Sequence, residues 1–374
     1  MRKELTMVEF ETLAEHLLDA GAEPFGLLTH QALPTADLLR DRFGTQLAAI
    51  FSPEHGYFGS VPAGEKTADE RHPDWDIPIY SLYGDTRKPT PQMLEGLGRL
   101  VIDLQDIGVR CYTYLGTLKY ALEAAAEAGI AVTVADRPLP LGGVVDGPMR
   151  SGLEFASFVA PVNVPLCYGM TPGEMATWIV REEDLDVDLT VIQVDAWNHF
   201  MRDPWPNFVP PSPAIRSWDS AVMYPATVFT EAFPALDCDR SGSLAFRILG
   251  APWLNATTLA EQLRGPLSVC GIKLRPYRYT PADGKYAGQR VNGLLLTCEA
   301  PSAFYPVTGG MLVLGGIKAL HPEESMEGFR ADWFDKLYGG TATRELFEQS
   351  AFSEMFASWI EGQESYIKTR ITIY

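Results

Sequence analysis

The sequence predicts an α/β fold with a doubly wound, mainly parallel sheet, followed by a smaller domain of a different type. Between residues 8 and 235, short apolar or β-branched runs alternate with segments of helical periodicity. These runs are almost continuously apolar, which is typical of parallel strands that helices bury on both faces. The last third of the chain loses this alternation. We therefore expect two domains, with a boundary near residue 254.

The elements of the first domain follow one another regularly. Strands are expected at residues 25–29, 47–51, 100–104, 130–134, 189–194 and 226–229. Helices are expected at residues 8–20, 37–43, 91–97 and 117–128. A further helix is expected after Thr171, which has Pro172 at the first helical position and Glu174 at the third, in the pattern of a capping box.

The second domain, residues 255–374, is expected to be of α+β type. Two antiparallel strands are predicted at residues 272–277 and 291–296. Helices are predicted at residues 310–320, 333–338, 343–349 and 352–367. A last strand is predicted at residues 370–374.

Charge and composition exclude several classes of protein. The chain has 30 Lys and Arg against 48 Asp and Glu, which gives a net charge of −18. Such a surface repels nucleic acids and anionic membranes, and no basic patch offsets it, so neither is expected as a partner. The sequence contains no run of about 20 apolar residues, so no membrane-spanning helix is predicted. The N-terminus lacks the apolar core of a signal peptide, so the sequence as written predicts a cytoplasmic protein, or a secreted or periplasmic one if a leader has been removed.

The five cysteines are scattered, with no C-x-x-C pair. This spacing predicts reduced thiols rather than a zinc site, and no metal is expected. The sequence makes no prediction about the oligomeric state.

Acidic residues follow the predicted strands of the first domain. In open parallel sheets, ligands bind beyond the carboxyl ends of the strands. Successive strand ends carry the carboxylates of Glu54, Asp103 with Asp106, Asp136, Asp195 and Glu231. So many like charges at one edge predict a functional site there.

Several familiar sites are missing from this edge. The first strand is not followed by G-x-G-x-x-G, and neither a P-loop motif nor a G-x-S-x-G elbow occurs. Nucleotide cofactors and a serine triad are therefore not expected. Carboxylates mixed with Tyr, Trp and Arg favour glycoside hydrolysis, in which one carboxyl donates a proton to the leaving oxygen and a second group assists. Like charges held close raise one pKa and so keep that acid protonated near neutral pH.

A series of motifs makes a more specific resemblance. They are PEHG at 53–56, GEK at 64–66, SLYG at 81–84, DLQDIGVRCYTY at 103–114, DRP at 136–138, GMTPGE at 169–174, PPSP at 210–213 and GAPW at 250–253. Their order and spacing resemble the former DUF1343 family (YbbC-like), the NamZ-like exo-β-N-acetylmuramidases that remove terminal N-acetylmuramic acid from peptidoglycan fragments. The resemblance covers essentially the whole chain. It implies a Rossmann-like catalytic domain, a smaller C-terminal domain, no nucleotide cofactor and a peptidoglycan-derived sugar as substrate.

Three segments depart from the family pattern. His30 stands where the family usually has Asn, and Leu139 stands where it has Asn after Asp-Arg-Pro. Glu-Gly-Thr-Asn followed by Gly-Arg-Gly-Thr is expected around Glu231, but the chain reads EAFP at 231–234 and DRSG at 239–242. We therefore expect Glu231 and Arg240 to be retained on a rebuilt loop.

The resemblance and the strand-end positions together give roles to individual residues. Glu54 is expected to be the general acid/base, and the second catalytic group is Glu231, Asp106 or Asp136. His55 orients Glu54 or contacts the sugar, or else it is a hydrogen-bonded packing histidine. The remaining candidate substrate-binding residues are Glu65, Lys66, Asp103, Arg110, Tyr112, Asp136, Arg137, Tyr168 and Arg240. Asp106 and Arg110 have an alternative reading as a structural ion pair.

The charge of the substrate adds one requirement. N-acetylmuramic acid carries a lactyl carboxylate, which an acidic cleft repels, so a cation must face it. The candidates that lie in motifs are Lys66, Arg110, Arg137 and Arg240. Loop tryptophans are candidates for sugar platforms, namely Trp75, Trp197, Trp205 and Trp218, and the other tryptophans are assigned to packing.

Two alternative functions stay open on the sequence. A metal-dependent hydrolase would use Glu54, His55 and the strand-end aspartates as ligands. A non-catalytic amino-sugar-binding protein would retain the cleft with a degenerate site, which the altered loop at residues 232–243 makes conceivable.

Overall fold

The computed structural model describes residues 5–30, 32–59, 61–62, 64–194, 197–201, 204 and 208–373. A seven-stranded sheet contains β1 (Phe25–Leu28), β2 (Leu47–Ser52), β3 (Glu70–Arg71), β4 (Pro78–Ser81), β5 (Arg99–Ile102), β6 (Ala131–Ala135) and β7 (Leu189–Ile192). Their order is β3-β4-β2-β1-β5-β6-β7, and all neighbours are parallel except β3 and β4. The chain first builds outward from β1 through β2, then returns to β5 on the other side, so the winding reverses beside β1.

Both faces of this sheet are buried. In β5, the side chain of Val101 packs into one apolar cluster, whereas those of Leu100 and Ile102 pack into another. Because side chains alternate across a strand, β1 and β2 likewise supply both clusters. This arrangement explains the continuously apolar runs in the sequence.

Helices cover the sheet and connect its strands. They are α1 (Leu5–Asp19), α2 (Thr35–Phe43), α3 (Pro91–Leu94), α4 (Tyr114–Ala128), α5 (Pro172–Glu182) and α6 (Trp218–Thr227). The predicted capping box of α5 is confirmed: the Thr171 hydroxyl accepts from the N–H of Glu174, whose carboxylate accepts from the N–H of Thr171.

A smaller unit follows, with an antiparallel sheet in the order β8-β10-β9. Its strands are β8 (Ile248–Ala251), β9 (Ile272–Tyr279) and β10 (Val291–Cys298). Its helices are α7 (Ala256–Val269), α8 (Pro306–Leu320), α9 (Pro322–Ser325), α10 (Ala331–Tyr338), α11 (Ala342–Glu348) and α12 (Phe352–Arg370). The predicted fold class is confirmed. The domain boundary at residue 254 stays a prediction, and β8 already belongs to the second sheet. No helix in the part of the chain that the structure describes is both long and apolar enough to cross a membrane.

The strand predicted at residues 226–229 is wrong. These residues end α6 and continue as a 3-10 helix, Val228–Ala232. Residues 220–230 are all buried, so their apolar character has no helical period, and a short buried helix then resembles a buried strand.

The strand predicted at residues 370–374 is also wrong over the residues that the structure describes. Arg370 is the last residue of α12, and residues 371–373 form a turn; residue 374 lies outside the described residues. The guanidinium of Arg370 donates to the carbonyls of Gly143, Tyr168 and Gly169. These contacts fix the segment against a loop instead of a strand edge.

Candidate active site

Glu54 lies in a tight turn that follows β2 at the carboxyl edge of the large sheet. Its Oε1 accepts a hydrogen bond of 2.7 Å from the backbone N–H of Gly64, and its Oε2 accepts one of 2.7 Å from the Thr113 hydroxyl. Gly64 has a φ of +80°, a region that disfavours L side chains, so glycine suits this donor position. Both oxygens of the buried carboxyl are therefore held by neutral donors.

His55 gives the turn its shape. Its φ of +77° lies in the left-handed region, which few residues other than glycine adopt. Its Nδ1 lies 2.8 Å from the carbonyl oxygen of Val61, and the N–H of Val61 donates to the carbonyl of His55 at 3.2 Å. These contacts join the turn to the segment that leads to Gly64.

Glu231 comes from the C-terminal part of the chain, on the 3-10 helix after α6. Its Oε1 accepts a hydrogen bond of 2.9 Å from Nη2 of Arg240, and its Oε2 accepts one of 3.3 Å from the indole N–H of Trp333 in α10. Burial acts to lower the pKa of Arg240, but the charge and hydrogen bond of Glu231, together with Tyr224 and Cys238, act against it, and the pKa is raised overall. Glu231 is thus a carboxylate with a cationic partner.

Glu54 and Glu231 line the same cavity, which has a volume of about 180 Å³. His55 and Arg240 also line it. Five aromatic side chains contribute to the wall, namely Tyr83, Tyr112, Tyr224, Phe246 and Trp333. Carboxyls, a guanidinium and aromatic faces in one small cavity are the groups that bind a sugar ring and act on its glycosidic bond.

Cys111 lines this cavity as well. Burial raises the pKa of its thiol to about 12, so the thiol stays protonated at neutral pH. A protonated thiol is a poor nucleophile.

Asp103 and Arg137 form a buried ion pair at the ends of β5 and β6. Nη2 of Arg137 donates to Oδ2 of Asp103 at 2.9 Å, Nε of Arg137 contacts the other carboxylate oxygen, and the Thr35 hydroxyl also donates to Asp103. Neither charged residue lines the cavity. Their contacts fasten neighbouring strand ends to one another.

Asp106 and Tyr168 also bind each other away from the cavity wall. The Tyr168 hydroxyl donates to Oδ1 of Asp106 at 2.9 Å, and the N–H of Gly108 donates to the same atom at 2.7 Å. Burial raises the pKa of Asp106 to about 6. This carboxyl organises the turn after β5.

Asp136 lies at the N-terminus of α5. It accepts hydrogen bonds of 2.7 Å from the Thr171 hydroxyl and from the N–H of Gly173. Burial raises the pKa of Asp136 to about 7. Its place is at the helix end, outside the cavity wall.

Arg110 is fully buried and binds backbone carbonyls rather than Asp106. Its guanidinium donates to the carbonyls of Pro148, Val164 and Leu337 at 2.8, 2.7 and 3.2 Å. Leu337 belongs to α10, the helix that carries Trp333. The structure therefore places Arg110 as a tie between the two parts of the chain, not in the cavity.

Glu65 and Lys66 lie on the surface, outside the cavity wall. Nζ of Lys66 is 3.2 Å from the Asp85 carboxylate, and both side chains are exposed. Asp195, the carboxylate predicted after β7, lies outside the described residues, as does Trp205.

Among the residues that the structure describes, Trp333 is the tryptophan that lines the cavity, and the sequence analysis assigned it to packing. Trp75 stacks on His72, Trp197 packs against His199 and Trp218 packs against Phe208. Tyr83 and Tyr224 were also missed. Tyr83 was within reach of sequence reasoning because it lies in the SLYG motif, whereas nothing local marks Trp333.

A metal-dependent hydrolase needs several side chains that bind the same metal ion. Among the described residues, no three side chains of His, Cys, Asp or Glu come together in a way that could hold a metal ion.

Comparisons with known proteins agree over the length of the chain. The family models "Exo-beta-N-acetylmuramidase NamZ, N-terminal" and "Exo-beta-N-acetylmuramidase NamZ, C-terminal" match residues 24–219 and 222–374. The Bacillus subtilis (strain 168) protein "Peptidoglycan beta-N-acetylmuramidase NamZ" is 36% identical over 355 residues, which are 92% of this chain and 85% of that protein.

Two crystal structures from Bacteroides fragilis NCTC 9343, both of DUF1343 family proteins, share the fold. The first has a TM-score of 0.89 at 28% identity, and the second has a TM-score of 0.76 at 22% identity. Each alignment covers 98% of this chain and 97% of the other. With both family models matched and a relative 36% identical over nearly the whole chain, this chain belongs to the NamZ family of exo-β-N-acetylmuramidases.

Proposed function

We propose that this chain is a glycosidase that releases N-acetylmuramic acid from the non-reducing end of peptidoglycan fragments. The observation that carries the proposal is that Glu54 and Glu231 line one cavity with an aromatic wall. Family membership supports the reaction class, and the relative named as a peptidoglycan β-N-acetylmuramidase supports the substrate.

The partners of the two carboxyls favour different roles for them. Glu54 accepts its hydrogen bonds from neutral donors, Gly64 and Thr113, whereas Glu231 faces the guanidinium of Arg240. A general acid must hold a proton, and an electrostatic stabiliser must stay charged. This difference supports Glu54 as the general acid/base and Glu231 as the second carboxylate.

The proton transfers then follow the order that is usual for glycosidases. Glu54 donates its proton to the glycosidic oxygen as the bond to the anomeric carbon breaks, and later takes a proton from the attacking water. Positive charge that develops on the sugar ring is stabilised by Glu231, or by the sugar's own acetamido oxygen acting as an internal nucleophile. In both cases Glu54 moves the proton.

Arg240 is proposed to recognise the lactyl carboxylate. Of the four cations named on charge grounds, all of them described by the structure, Arg240 alone lines the cavity. The indole of Trp333 and the phenol rings of the wall offer flat apolar surfaces on which a pyranose face packs.

The test compares wild type with Glu54→Gln on two substrates: a chromogenic muramic glycoside and a disaccharide with the same terminal sugar. We expect kcat on the disaccharide to fall by about 10²–10⁴-fold, and less on the chromogenic substrate, whose leaving group needs little protonation. Glu65→Gln, a surface carboxyl on the neighbouring segment, is the control and should keep wild-type activity. NMR of the released sugar gives the anomer.

Two outcomes would redirect the proposal. Sugar binding without turnover, unchanged in Glu54→Gln, would favour the non-catalytic sugar-binding protein. Activity that exhaustive chelation abolishes and added metal restores would favour the metal-dependent hydrolase.

A further inference from the structure

Thr113 lies at the start of α4, in the position where a threonine normally caps its helix. A capping side chain accepts a hydrogen bond from a backbone N–H in the first turn of the helix. The Thr113 side chain accepts no such bond, and its backbone is itself helical, with φ of −62° and ψ of −17°. Its hydroxyl donates instead to Oε2 of Glu54 at 2.7 Å. The hydrogen bond of this threonine is therefore made to the candidate acid and not to its own helix.

This hydrogen bond crosses the place where the winding of the large sheet reverses. Glu54 follows β2 and Thr113 lies beyond β5, and β1 separates these two strands in the sheet. The two residues are 59 positions apart in the sequence. Both are buried and both line the cavity. The contact therefore joins two strand ends that are not neighbours in the sheet, directly at the cavity.

The backbone around Thr113 is anchored on its helix side. The Thr113 carbonyl accepts from the N–H of Thr117 at 3.0 Å and from the Thr117 hydroxyl at 3.2 Å. The next residue, Tyr114, is fully buried, and its hydroxyl donates to the carbonyl of Pro211 at 2.6 Å. Because the side chain of threonine is short and stiff at χ1, an anchored backbone also fixes the place of its hydroxyl.

We propose that Thr113 is a positioning residue that fixes the direction in which Glu54 presents its proton to the glycosidic oxygen. The inference rests on the proposed function and adds one residue to it. Thr113 acts through the Glu54 carboxyl and keeps its own proton. The single proton that moves therefore still passes from Glu54 to the leaving oxygen.

The physical reason is that the Glu54 carboxyl is held at both of its oxygens. The N–H of Gly64 holds Oε1 and the Thr113 hydroxyl holds Oε2, each at 2.7 Å. Two anchors fix the plane of the carboxyl, whereas a single anchor lets it turn about that contact. Proton transfer needs the acid within hydrogen-bond reach of the leaving oxygen, and a small misplacement lowers its rate steeply. The anchor at Oε2 should therefore act on kcat more than on substrate binding.

The experiment compares variants that remove or keep the hydroxyl at position 113. Thr113→Val keeps the shape of the side chain, removes the donor and costs α4 no cap. We expect kcat on the disaccharide to fall by about 10- to 100-fold while KM changes less than about twofold, because the substrate still binds but the acid is misdirected. The fall on the chromogenic glycoside should be smaller, since its leaving group needs little protonation. Thr113→Ser, which keeps the hydroxyl, should retain most of the wild-type kcat.

Two further variants separate this role from a general disturbance of the helix start. Thr117→Val is the matched control, because it makes the same substitution one turn along α4 and removes a buried hydroxyl that donates to the Thr113 carbonyl and not to Glu54. Its kcat should match wild type. In the Glu54→Gln background, Thr113→Val should lower kcat far less than it does in wild type, since no acid proton is left to direct.

A folded Thr113→Val with wild-type kcat would overturn the inference, as would equal losses on the two substrates, an equal loss in Thr117→Val or an undiminished effect in the Glu54→Gln background. Should Thr113→Val fail to fold, Thr113→Ser and Thr113→Ala decide, since they differ only in the hydroxyl, and equal kcat values there would also overturn it. Failure of the proposed function is a different outcome, in which Glu54→Gln would itself remain fully active.

Discussion

The two sides of the cavity are built differently. Glu54 lies on a turn at the end of a parallel strand, and its partners Gly64 and Thr113 come from the same part of the chain. Glu231 lies on a short 3-10 helix and depends on Trp333, which is 102 residues further along the chain. A carboxyl at a strand end can be located from local pattern, whereas one held by distant segments requires the tertiary structure.

The largest expected effect concerns Glu231 and tests whether this carboxylate takes part in the reaction. We expect Glu231→Gln to lower kcat on the disaccharide by about 100-fold or more, because the sugar loses a charged stabiliser at the bond that breaks. Asp106→Asn is the matched control, since Asp106 was an equal candidate in the sequence but lies outside the cavity wall. If both folded variants lost the same amount of kcat, Glu231 would not differ from Asp106 in its importance for the reaction.

A second test concerns specificity on the Glu231 side. Arg240→Gln should lower kcat/KM for muramic substrates by about 10- to 100-fold more than for matched N-acetylglucosamine substrates, because it removes a charge-assisted contact to the lactyl carboxylate. Lys66→Gln, an exposed cation near Glu54 in sequence, should affect both sugars equally. The ratio of the two kcat/KM values is the measurement, since Arg240 also contacts Glu231. An unchanged ratio would remove Arg240 from this role.

The smallest expected effect concerns Asp136, a strand-end carboxyl outside the cavity wall. Burial raises its pKa from 3.8 to about 7, so the folded chain binds more protons than the unfolded chain between these values. Its contribution therefore makes the free energy of unfolding fall as pH rises from about 4 to about 7, by at most about 1.4 kcal/mol per pH unit.

In Asp136→Asn this contribution should disappear, because the amide keeps the acceptor for Gly173 and cannot ionise. Urea unfolding at several pH values measures the change in slope. Asp186→Asn, on the surface, should leave the slope as in wild type. If the free energy of unfolding changes with pH in Asp136→Asn as it does in wild type, this carboxyl does not titrate between about pH 4 and pH 7.

Sequence reasoning worked where the determining contacts are local. The core strands at the centre of the large sheet follow from apolar runs, and the cap at Thr171 follows from four adjacent residues. It failed at residues 226–229, where complete burial hides the period that separates helix from strand. Glu54 was found because a strand end defines its place.

The other charged residues in the motifs show a second reason why the sequence alone could not place every residue of the site. Arg110, Asp136 and Asp106 have the residue types that a sugar site uses, but the structure gives them carbonyl, helix-end and tyrosine partners instead. A residue type identifies possible partners, and only the fold selects among them. Trp333 is the converse case, since its helix has no local mark that places one indole beside Glu231.

The tie made by Arg110 has a consequence for the growing polypeptide. Arg110 and Leu337 are 227 positions apart, and the helix that ends near Leu337 supplies Trp333 to Glu231. A nascent chain that stops short of α10 contains Glu54 and its partners Gly64 and Thr113, but it lacks the indole that contacts Glu231. On the proposed function, we therefore expect a chain truncated before α10 to lack glycosidase activity.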